Sequence, residues 1–293
     1  MQFTDPTPQD LPAELAEPLP AAPPPPPPPD PRAENPVWNL WDVLLITGVS
    51  VAALIVAQVV VLIVAYFLPQ SHHASIPTLA KNTLLLVPAQ VLGYLLIVGF
   101  MAFLLWTKYR SGFAKAIRWN APPARSAAAA LLAGGGLGLV SLVFSASVQK
   151  WVPKSLPIDE MFQSTASAYM LAAFAVLVAP VVEEIFFRGF LYPALARKTG
   201  EQVATVYPAH ARKTGQVVAI VLTSLAFALI HEGQLAHAWL PLLWLSVVGA
   251  VLTTVRAATK SVATTVLIHM GYNGVLMLLD YIYTHGFREF QHS

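Results

Sequence analysis

Six polar side chains stand inside otherwise apolar sequence, at spacings that place them on shared helical faces. In Val181–Gly189, read VVEEIFFRG, Glu184 and Arg188 are four residues apart and can pair along one helix face. Glu183 points about 100° away from that face and has no counter-charge on its own helix. A carboxylate of this kind suits general acid–base work. Phe227 and His231 are again four apart, with the histidine ending an apolar run. His269 and Asn273 repeat the spacing on a third segment, where two polar groups on one face can aim donors at a developing negative charge. Cysteine is absent, so neither a thiolate nucleophile nor a disulfide is available.

The elements that must hold these groups are membrane spans. The chain of 293 residues is 56% hydrophobic and 11% charged, well below the roughly 25% charge of soluble domains. Charge-free runs occur at 43–68, 83–106, 126–149, 161–182, 216–231, 234–255 and 261–279, each near the length that crosses a bilayer. The reading is an all-α polytopic transmembrane bundle of about seven spans, with the fifth short and the sixth bent at Pro241. Ahead of it, residues 1–36 hold 14 of the 25 prolines, six acidic residues and one basic residue. That composition predicts a disordered, acidic, proline-rich N-terminal tail. Lys108, Arg110, Lys115, Arg118, Arg125, Arg197, Lys198, Arg212, Lys213, Arg256 and Lys260 fall in connections on one side of the membrane. Only Lys81, Lys150, Lys154 and Arg288 fall on the other, so the N-terminus is expected in the cytoplasm. Basic charge confined to short connections gives no nucleic-acid signal.

Charge at bilayer depth costs at least ~2.5–3.5 kcal/mol on insertion scales, so each such group is a functional candidate. Counted from the cytoplasmic ends at ~1.5 Å per residue, Glu183 lies about 18 Å deep, His231 about 21 Å and His269 about 12 Å. Three helices thus bring their polar groups to one level. His72, His73, His237 and His292 read as solvated, and Asp280 and Glu232 as lying near span ends. Residues 192–206 (YPALARKTGEQVATV) and 207–221 (YPAHARKTGQVVAIV) agree at eleven of fifteen positions, a tandem duplication expected to lengthen a basic cytoplasmic loop.

The motif series E-E-x-x-x-R (Glu183, Glu184, Arg188), F-x-x-x-H (Phe227, His231) and H-x-x-x-N (His269, Asn273) resembles the CAAX protease and bacteriocin-processing (Abi) family, the type II CAAX prenyl endopeptidases. The resemblance covers roughly residues 164–279. It implies an intramembrane endopeptidase acting on a membrane-anchored, lipidated or hydrophobic peptide or protein, in a bacterial plasma membrane. By the same resemblance, Glu183 and His231 would activate water, and His269 and Asn273 would stabilise the oxyanion. Glu184 and Arg188 would support the site. Two mechanisms stay open on the sequence: a divalent metal such as zinc held by His231, His269 and Glu183, or a metal-free glutamate protease. The expected organisation is a tail (1–37), N-terminal transmembrane helices (38–160), a catalytic membrane core (161–284) and a short C-terminal tail (285–293). The alternative reading is a non-catalytic membrane regulator or immunity protein of the same fold.

Overall fold

The computed structural model describes residues 38–68, 74–162 and 164–289. The proline-rich tail, His72, His73 and His292 lie outside the described residues, which are helical with no strand among them. Seven helices are long and apolar enough to cross a membrane: α1 (Leu40–Tyr66), α2 (Thr83–Tyr109), α3 (Ala124–Trp151), α4 (Thr165–Ala204), α5 (Pro208–Leu229), α6 (Trp239–Thr259) and α7 (Val262–Tyr283). The chain is an integral membrane protein. Its long runs of exposed leucine, isoleucine and valine, such as Leu132 and Val143, face where lipid would be.

Short polar residues start the helices. Asn39 caps α1 in a reciprocal box with Asp42, Ser164 does the same for α4 with Ser167, and Ser261 caps α7 through the Thr264 amide. Asp42 has a second task. Buried, it takes the Lys108 ammonium at 2.6 Å and a hydrogen bond from the Tyr109 hydroxyl, which ties the start of α1 to the end of α2.

The fourth helix differs most from the sequence reading. It runs 40 residues to Ala204, past the charge-free run and the Glu183–Arg188 motif and into the segment expected as a cytoplasmic loop. Two segments, Phe174–Val178 and Ile185–Leu191, are π-helical, and each is followed closely by a proline, Pro180 and Pro193. Proline removes an N–H and crowds the preceding turn, and a widened turn relieves that crowding.

The duplication is likewise helical. The first copy forms the C-terminal part of α4, and the second forms the short turn at Pro208–His210 and the first half of α5. The equivalent glycines of the copies meet: a Cβ on Gly215 would lie 2.7 Å from the Gly200 nitrogen and from the Ala196 carbonyl. At Arg197 the hairpin passes the start of α1, donating to the Trp38 carbonyl at 3.3 Å, and α4 continues to Ala204. Two smaller expectations also change. Pro241 is the third residue of α6, where its missing N–H is harmless, so it causes no bend. Arg256 lies buried within α6, its guanidinium 6.0 Å from the Tyr192 ring, rather than in a connection.

The last helix is set by α3. Gly134 and Gly138, four apart, let α7 approach at backbone distance: a Cβ on Gly134 would fall 1.9 Å from the Ile268 carbonyl oxygen. From the other side, a Cβ on Gly271 would fall 2.1 Å from the Leu131 carbonyl oxygen. α7 cannot yield without displacing His269 and Asn273, which it carries. Gly134→Ala and Gly271→Ala should each cost about 1–3 kcal/mol or more through this overpacking. Gly99→Ala, at an exposed position with nothing within 4 Å, should be neutral. Thermal unfolding of the three variants in detergent checks the contrast.

Candidate functional site

The site is built outward from a fully buried ion pair. Glu184 Oε1 accepts from Arg188 Nη1 at 2.8 Å, along the helix face that the four-residue spacing predicts. Every nitrogen of the guanidinium is used: Nη2 donates to the Gly249 carbonyl at 3.0 Å and Nε to Thr253 Oγ1 at 3.3 Å, both on α6. Its flat face lies 4.5 Å from the Phe227 ring centroid on α5. Glu184 Oε1 also pairs with His269 Nδ1 on α7 at 3.0 Å. One carboxylate and one guanidinium therefore join four helices.

This arrangement orients His269. A carboxylate can only accept when ionised, so His269 Nδ1 is the donor and Nε2 is turned the other way. Nε2 lies 3.9 Å from Glu183 Oε2. Glu183 Oε1 accepts from the Tyr94 hydroxyl on α2 at 3.2 Å. His231 stands just past the end of α5, where its Nδ1 bonds the Phe227 carbonyl at 2.9 Å. That carbonyl belongs to the last turn and has no helical partner, so His231 serves as a side-chain cap with Nε2 left over. Phe227 is the spacer of the group, with its ring 5.1 Å from His231 and 5.8 Å from His269.

Asn273 has a structural duty that its spacing did not reveal. In the π-helical ladder the Ala179 N–H reaches the Phe174 carbonyl. The next bond would run from residue 180 to Ala175, and residue 180 is a proline. Asn273 Nδ2 donates to that orphaned Ala175 carbonyl at 2.7 Å. The amide has a second N–H, and its side chain also borders the cavity described next.

Glu183, His231, His269 and Asn273 line one cavity of about 1270 Å³. Glu184 and Arg188 stand behind its wall. The cavity continues past Tyr94 and Trp244 toward Lys150, Lys154 and Gln234, at the end of the bundle opposite the basic connections. Trp244 stacks on Phe144 with ring centroids 4.6 Å apart and donates to Ser141 Oγ at 2.7 Å. Tyr94 and Trp244 are among the cavity residues that the motifs do not include. A polar pair four apart in a charge-free span, Gln90 and Tyr94, was the signal available for the first. Among the described residues, no three His, Asp or Glu side chains are grouped to hold a metal ion. His231, His269 and Glu183 are thus not gathered as a three-ligand set in this arrangement.

Two substitutions test these assignments through stability. Arg188→Met leaves Glu184 buried with its main counter-charge gone and should cost about 3–5 kcal/mol, part of it recovered by adding Glu184→Gln. Asn273→Ala should cost about 1–3 kcal/mol by stranding the Ala175 carbonyl. Adding Pro180→Ala supplies a backbone N–H in reach of that carbonyl and should restore much of the loss. Unfolding midpoints in detergent report both cycles.

No curated protein and no solved structure matches the chain. Residues 165–275, from the first residue of α4 to two residues beyond Asn273, match the model of the Rce1-like type II CAAX prenyl endopeptidase family, and all six motif residues lie inside that match.

Proposed function

We propose that the protein is an intramembrane endopeptidase that hydrolyses a peptide bond of a membrane-anchored, lipidated or hydrophobic substrate. The observation that carries this reading is the shared cavity. A carboxylate, two imidazoles and an amide face one cavity inside a membrane bundle, with a buried ion pair fixing His269 from behind. The family match over the same four helices supports it.

Water held between Glu183 and the free Nε2 of His231 loses its proton to the carboxylate as its oxygen attacks the carbonyl carbon. The new oxyanion needs donors. The second N–H of Asn273 is one. His269, with Nδ1 committed to Glu184, offers a donor at Nε2 only as an imidazolium, and Glu183 and Glu184 are the counter-charges such a cation requires. Proton return from Glu183 to the leaving amine completes the cleavage. The apolar walls around the reacting groups strengthen each of these interactions.

Membrane fractions from cells making the native chain should contain new peptide termini that are missing with Glu183→Gln or His231→Ala, both expressed at normal levels. Each substitution should lower cleavage at least about 10²-fold; full activity in both overturns the mechanism. A partner-dependent phenotype that survives Glu183→Gln would instead point to a regulator of the same fold. The Asn273→Ala/Pro180→Ala pair should recover the fold without the rate. A chelator titration should change neither cleavage nor the unfolding midpoint.

A further inference from the structure

The six motif residues lie on α4, on α7 and just past the end of α5, yet one oxygen of the central carboxylate is held from α2. Tyr94 lies outside residues 165–275 and outside every motif of the sequence. Its hydroxyl donates to Glu183 Oε1 at 3.2 Å, while Oε2 faces His269. A carboxylate turns about its last torsion with little resistance, since that torsion is broad and two-fold. With one oxygen engaged by Tyr94, the plane of the group is set and the other oxygen is presented to the cavity.

The tyrosine is itself immobilised. Its ring stacks on Phe174, with centroids 5.8 Å apart and planes 28° apart. Phe174 opens the π-helical segment whose next residue, Ala175, takes the amide of Asn273. Gln90, one turn earlier on α2, lines the same cavity. A tyrosine that only filled space here would need no such partners, and phenylalanine would serve as well.

We propose that Tyr94 is a positioning residue that fixes the Glu183 carboxylate for water activation, making α2 part of the catalytic apparatus. The inference rests on the endopeptidase reading for its kinetic consequence and on geometry alone for its spectroscopic one. Tyr94→Phe keeps the ring and its stack on Phe174 and deletes only the hydroxyl.

The test uses full-length protein in proteoliposomes and an internally quenched peptide carrying the cleavage sequence found from the new termini. Tyr94→Phe should lower kcat about 10- to 100-fold, the loss of one hydrogen bond to a charged group. KM should stay within about twofold and the unfolding midpoint near that of the native chain, a split that a packing role would not produce. In parallel, infrared spectra of ¹³C-glutamate-labelled protein give the Glu183 carboxyl band as the difference between native chain and Glu183→Gln. That band should shift in Tyr94→Phe. An unmoved band, or kcat within twofold of native, overturns the proposal. If native and Glu183→Gln proteins prove equally inactive, the endopeptidase reading fails while the infrared result still decides on Tyr94.

Discussion

Removing a carboxylate and a guanidinium from water costs several kcal/mol per ion even after relaxation, and Glu184 and Arg188 are both fully buried. That cost is met only if every donor finds an acceptor in the protein. Arg188 therefore takes the Gly249 carbonyl, Thr253 and the face of Phe227, and Glu184 takes His269. Each of these demands fixes a helix: α6 by two bonds, α5 by a ring face, α7 by an imidazole. The position of His269 thus follows from the electrostatics of two residues that do not touch the cavity, and the direction of its Nε2 follows from the bond at Nδ1. Inside a bilayer there is no water to relax such a demand, so the pair acts as a constraint on the whole C-terminal half.

The second constraint is backbone satisfaction around two prolines in one continuous helix. Pro180 leaves the Ala175 carbonyl without its π-ladder donor, and Asn273 supplies the missing bond from α7. A site residue is thereby located by a defect in a neighbouring helix. The same segment begins with Phe174, against which Tyr94 is stacked. Residues 174, 175 and 180 therefore govern both sides of the cavity, which explains why irregular helix persists beside the site.

Much of this was legible in the sequence because lipid suppresses charge. Where 11% of residues are charged, polar groups at depth stand out, and spacings of four report a shared helix face whatever the tertiary arrangement. Glu184 and Arg188 pair as that rule demands. Spans were visible for the same reason, apart from the end of α4. What stayed hidden depends on contacts between helices. Nothing in the spacing of His269 and Asn273 says that one faces Glu184 while the other caps a carbonyl of α4. Tyr94 was hidden because a tyrosine in an apolar span carries no charge to mark it. The π-helical segments were hidden because residue spacing does not show where a helical turn widens ahead of a proline.

The duplication shows how an insertion can fall between two motif helices without disturbing them. Fifteen residues placed in a rigid span would rotate everything beyond them by a fraction of a turn, since 15 is not a multiple of 3.6. Placed at the tip of an antiparallel hairpin, they divide between the arms, about seven or eight each, and lengthen both by ~11 Å. The structure agrees with that division: α4 passes the start of α1 at Arg197 and runs on to Ala204. Packing of Gly200 against Gly215 closes the added length with the close backbone approach that small residues permit. Glu183 on one arm and His231 on the other keep their register when the added residues lengthen only the tip of the hairpin. The loop that the sequence assigned to the duplication is therefore a helical extension, and its tolerance comes from the symmetry of the hairpin rather than from lack of structure.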